Sequence, residues 1–78
     1  MAKHLSKTAM ELEDELTKKL IQLDAMLDMT WGEQGESFRC LSDENQGNFM
    51  WACSDVASEV RRLASQLSGA LREEVSHG

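Results

Sequence analysis

The chain is poor in the residues from which reactive and metal-binding sites are built. Its 78 residues include only two cysteines and two histidines. Cys40 and Cys53 stand thirteen positions apart, while His4 and His77 lie in the two end segments, so no CxxC or HxxxH spacing is present to hold zinc. Two cysteines make no disulfide framework and read as free thiols of a reducing cytoplasm. Cys53 fits the role of a small apolar filler, and Cys40, beside Arg39, is the more reactive of the pair. Without a histidine between positions 4 and 77, no serine, cysteine or lysine has an evident base partner for nucleophilic catalysis. A glycine-rich phosphate loop is also missing. Glu11, Asp14 and Glu15 with Asp55 and Glu59 faintly resemble the paired carboxylates that hold magnesium between helices. An antiparallel arrangement would place the two sets at different levels. The expectation is a non-enzymatic protein with no metal and no cofactor.

Basic residues are scarce as well. Eight lysines and arginines face fourteen acids, for a net charge of −6, which argues against direct nucleic-acid binding because phosphate recognition needs clustered cations. Basic protein partners remain open. The acidity is concentrated: from position 24 to position 59 there are eight acids and a single base, Arg39, and the rest of the chain is nearly neutral. No run of about 18 apolar residues could cross a bilayer, and no basic-then-apolar leader is recognisable. These absences point to a cytoplasmic protein that does not engage membranes.

What is present is helical pattern. Thr8 and Glu11 form a capping box, in which the hydroxyl takes the Glu11 amide and the carboxylate reaches back to the Thr8 amide; Ser6 is a rival start. Ala9, Leu12, Leu16, Leu20, Leu23 and Leu27 then recur at three- and four-residue steps, the 3.6-residue period of an amphipathic helix. Glu11, Asp14, Glu15, Lys18 and Lys19 occupy the opposite face, with Glu15 to Lys19 and Asp14 to Lys18 as supportive pairs. Ile21 lies off the stripe and would be wet in a lone hairpin. Gly32 can close the helix in a left-handed conformation.

Residues 33–41 have room for a turn or two of helix, loosened by Gly35, with Phe38 and Leu41 spaced to face the core. Ser42, followed by Asp43 and Glu44, opens a second helix, with Asn48 an alternative cap because Gly47 disfavours the first turn. Phe49, Cys53, Val56, Val60, Leu63, Leu67 and Ala70 step alternately by four and three, a heptad seam that Ala57, Ala64 and Leu71 widen.

The pattern predicts one small all-α domain over residues 1–78: helix at about 8–31, connection at 32–41, helix at about 42–74, both termini frayed. Two such helices make an antiparallel hairpin with a short, partly helical connection. A chain this small buries only roughly 60% of its unfolded surface, and a broad apolar face on each helix is more than one hairpin can cover. Pairing into a homodimeric four-helix bundle is the simplest remedy.

All four aromatics lie within residues 31–51. Set among acids, they suggest a partner-binding patch of Trp31, Glu33, Glu36, Phe38, Asp43, Glu44, Trp51 and Asp55. The competing reading has Phe49 and one tryptophan plugging the loop end as core. The functional expectation is an adaptor or inhibitor that binds another protein through this acidic, aromatic end. The alternative is an acidic nucleic-acid-mimicking decoy of the kind phages use against host defence enzymes.

Overall fold

The computed structural model describes residues 7–77, with side chains through residue 75; the expected frayed start before Lys7 lies outside these residues. Helix α1 spans Ala9–Asp28 and helix α3 spans Asp43–His77. Between them a 3₁₀ turn, Glu33–Gly35, leads into the single-turn helix α2, Glu36–Arg39. No strand occurs among the described residues. The long helices pack against each other as a hairpin.

The helix starts follow local chemistry. The Thr8 hydroxyl accepts the Glu11 amide at 3.1 Å, and the Glu11 carboxylate accepts the Thr8 amide at 2.9 Å, which completes the capping box. Ser42 caps α3, its hydroxyl accepting the Asn45 amide at 3.1 Å. Helix α3 therefore begins before Gly47, and Asn48 is an interior residue. The helix ends differ from expectation. Helix α1 stops at Asp28, capped by Met29, short of the expected end near residue 31. The Thr30 hydroxyl, which donates to the Leu27 carbonyl at 2.7 Å, occupies one of the last acceptors. Gly32 does take positive φ, at 67°, but beyond the helix, where it opens the 3₁₀ turn. Helix α3 continues to His77, past the expected fade near residue 74, in a chain that contains no proline.

The contact seam on α3 follows the heptad: Cys53 and Leu63 are buried, and Phe49, Val56, Val60, Leu67 and Ala70 are half-buried. Helix α1 departs from its simple stripe. Leu12 is buried and Leu16, Leu23, Met26 and Thr30 are half-buried, whereas Leu20 and Leu27 are exposed. The cause is the mate. The line on α1 that meets the α3 heptad runs Leu16, Lys19, Leu23, Met26 and Thr30, and Leu20 and Leu27, each four residues after a seam leucine, stand beside it. Leu20 and Leu27 thereby fall on a flank of the hairpin.

The result is a slab 53 Å long and 13 Å thick, the depth of one helix. Its radius of gyration is 17.2 Å, against about 11.5 Å for a compact domain of this length. Only Leu12, Cys53 and Leu63 among the described large apolar residues are buried, and Leu63 alone is fully so, at 1% exposure. A single layer of helices has no second layer against which to bury its faces.

Candidate functional site

The loop end of the hairpin is held by side chains folded onto its own backbone. Arg39 donates from Nη2 to the Gly32 carbonyl at 3.0 Å. Gln46 reaches back from the first turns of α3, its Nε2 donating to the Leu41 carbonyl at 3.0 Å and lying 3.4 Å from that of Arg39. Gly35 is buried against Thr30: a Cβ at this position would lie 2.7 Å from the Thr30 carbonyl carbon. The glycine expected to loosen the connection is instead the point at which the connection is pressed against the end of α1. The close approach requires it, since any side chain here would displace the backbone of residue 30.

Aromatic placement divides by residue type. Phe38 and Phe49 meet edge to face, ring centroids 5.3 Å apart, and tie α2 to the start of α3. Both tryptophans face solvent, Trp31 at 61% and Trp51 at 68% exposure. The competing reading is overturned for the tryptophans and holds for Phe49, which is half-buried and closes this end with Phe38. Phe38 and Asp43 come together with Thr30, Gln46, Gly47 and Met50 around an open hollow of about 500 Å³. Trp51 stands on the outward side of α3, with Glu44 seven residues before it and Asp55 four residues after it on the same face. Trp31, Glu33 and Glu36 lie exposed along the connection. The eight residues expected to form one patch thus occupy three places: the hollow, the outer side of α3 and the connection.

The thiols separate as their positions suggest. Cys53 is buried in the seam, whereas Cys40 is exposed, and both are free. The Arg39 guanidinium, which sequence proximity pairs with Cys40, is engaged with Gly32. No cluster of His, Cys, Asp or Glu able to hold a metal ion occurs among the described residues. No helix among them is long and apolar enough to cross a membrane.

Two ion pairs lie on one side of the hairpin body. Lys7 bonds Glu15, in place of the expected Glu15–Lys19 pair, and Arg62 bonds Glu59 at 2.7 Å. The Arg62 hydrogen bond and charge, helped by the more distant Lys19 and Lys7, hold the Glu59 carboxyl below the ordinary glutamate value.

The chain matches no protein family, no curated protein and no solved structure with which it was compared.

Proposed function

We propose that this protein is a non-enzymatic regulator, an adaptor or inhibitor, that pairs as a homodimer and binds another protein through its acidic, tryptophan-bearing loop end. One observation carries the reading: two tryptophans remain in water at an end whose backbone is fixed by Arg39, Gln46 and Gly35. Leaving a large apolar side chain exposed forgoes about 1.5–3 kcal/mol of burial free energy each. A fixed backbone lowers the ordering cost of binding, and aromatic anchors supply much of the affinity at interfaces. Glu44 and Asp55 flanking Trp51 suit a partner with lysine or arginine at its contact surface, because a cation can meet both the carboxylates and the indole face.

The test compares the native chain with Trp51→Ala as baits in the source cell's lysate, over a salt series. A partner retained by the native chain through 0.5 M salt and lost with Trp51→Ala supports the proposal. Capture that survives Trp51→Ala and disappears steeply with salt identifies a charge mimic instead, and assigns the acids the role of a nucleic-acid decoy.

A further inference from the structure

The two broad sides of the hairpin differ in a way that selects what covers them. At about 100° per residue, Leu20 and Leu27 sit roughly 60–80° round α1 from the centre of its contact seam. Met50, Ala57, Ala64 and Leu71 sit roughly 40–100° round α3 from its own seam, in the same rotational sense. In an antiparallel pair, equal senses point to the same side. One side of the slab is therefore apolar across both helices, with Leu20, Leu27, Met50 and Leu71 exposed. Glu15, Lys19, Gln22, Asn48, Glu59 and Gln66 fall on the other side.

The apolar side carries a pattern of size and charge. Its large residues on α1 are Leu20 and Leu27, while the middle of α3 offers Ala57 and Ala64. Its charged rim on α1 consists of acids, Glu13 and Asp24, and its rim on α3 between residues 50 and 72 consists of Arg61 and Arg72. Thr30 shares a hollow with Gln46, Gly47 and Met50, which sets the antiparallel register. Leu20 lies near the level of Ala57, and Glu13 lies within one turn of Arg61. The side is complementary to itself, provided that α1 of one copy lies on α3 of the other.

Accepting the pairing proposed above, we infer that the occupant of this side is a second copy of the chain, related by a two-fold axis parallel to the helices. This operation seats Leu20 over the partner copy's small-residue stretch and Glu13 beside its arginine rim. Laying α1 on its own copy, by a two-fold axis perpendicular to the helices, would set acids against acids, arginines against arginines and alanine against alanine. The area is sufficient. The chain exposes 6084 Å², about 1,300 Å² more than the roughly 4,800 Å² of a compact protein of its mass, and obligate dimers bury about 1,000–2,500 Å² per subunit. A parallel axis brings both loop ends, with their four tryptophans, to one end of the bundle. The regulator is then bivalent, presenting paired acidic contacts to one partner surface.

The test has two independent arms. Sedimentation equilibrium measures the mass: a dimer is required, and an 8.8 kDa monomer at about 1 mM overturns the pairing and this arrangement together. Nitroxide labels at the exposed Cys40, in a Cys53→Ala background shown to remain dimeric, then report the geometry. A Cys40–Cys40 distance below about 30 Å is expected, since helices in contact lie about 8–10 Å apart. A distance near the 53 Å length of the slab leaves the dimer standing and overturns the parallel axis. Reversing charge supplies a check without labels. Arg61→Glu raises the dimer dissociation constant severalfold, and Glu13→Arg in the same chain restores it; failure of the double variant to recover overturns the α1-on-α3 contact.

Discussion

The two broad sides of the hairpin are built from the same pair of helices and meet water on opposite terms. One side satisfies itself locally, with Lys7 on Glu15, Arg62 on Glu59 and the field of Lys19 across the groove. The other presents Leu20, Leu27, Met50 and Leu71 with no described residue of the chain to cover them. Exposed ion pairs are worth little individually, and their merit is compatibility with solvent. Uncovered leucines act in the opposite way, since their burial is stabilising only when something arrives to bury them. The lesson is that a three-residue core and a half-finished apolar side belong together. The free energy missing from the hairpin is the free energy available for association.

The sharpest way to break the comparison is to place the same charge on each side. Leu27→Lys should weaken the proposed dimer at least tenfold, because it would set an ammonium against an apolar surface buried by pairing, where an unpaired charge costs several kcal/mol. Gln22→Lys, on the polar side, should change the dissociation constant less than twofold. Sedimentation of the two variants at matched concentrations reads the difference directly.

Two glycines sharpen the contrast between the pinned loop end and the helix body. Gly35→Ala forces a Cβ to within 2.7 Å of the Thr30 backbone and should cost about 1–3 kcal/mol, read as a lowered urea midpoint. Gly47→Ala meets nothing within 4 Å and should stabilise α3 by about 1 kcal/mol. A methyl at residue 47 also intrudes on the hollow beside Phe38 and Asp43, so weaker partner capture by this more stable variant would show that the hollow is part of the contact.

The smallest effect belongs to Glu59. Its carboxyl is held below the ordinary value by Arg62, so its contribution to folding is present above the unfolded-state pKa and is lost as pH falls through the folded one. Glu59→Gln should lower the melting temperature slightly at pH 7 and leave it unchanged near pH 3. A thermal series of both chains from pH 3 to pH 7 measures the gap.

Much of the fold could be read from residue spacing. The capping box at Thr8, the cap at Ser42 and the heptad on α3 are local or one-helix patterns, and each appears as the spacing predicts. The α1 seam was legible only in part. Leu12, Leu16 and Leu23 face α3, but Leu20 and Leu27 satisfy the stripe in sequence and miss the mate in space. The candidate site was less legible still. Phe49 heads the α3 heptad and Phe38 is spaced toward the core, but no local pattern says whether Trp31 or Trp51 joins them in closing the loop end. Gly35 likewise reads as a weak helical residue until the approach of Thr30 is seen.

The sequence alone determined that the chain would be helical, narrowed the start of each long helix to two candidate caps, and showed that its acids crowd around the connection. These properties depend on contacts within a few residues or on composition. Only the tertiary structure decided which apolar residues became core, because that choice depends on the phase of one helix against another. It also decided that the tryptophans face outward, and that the hairpin has one finished side and one open side. The phase of α1 against its heptad mate leaves Leu20 and Leu27 beside the seam and in water, on the side proposed to receive a second copy.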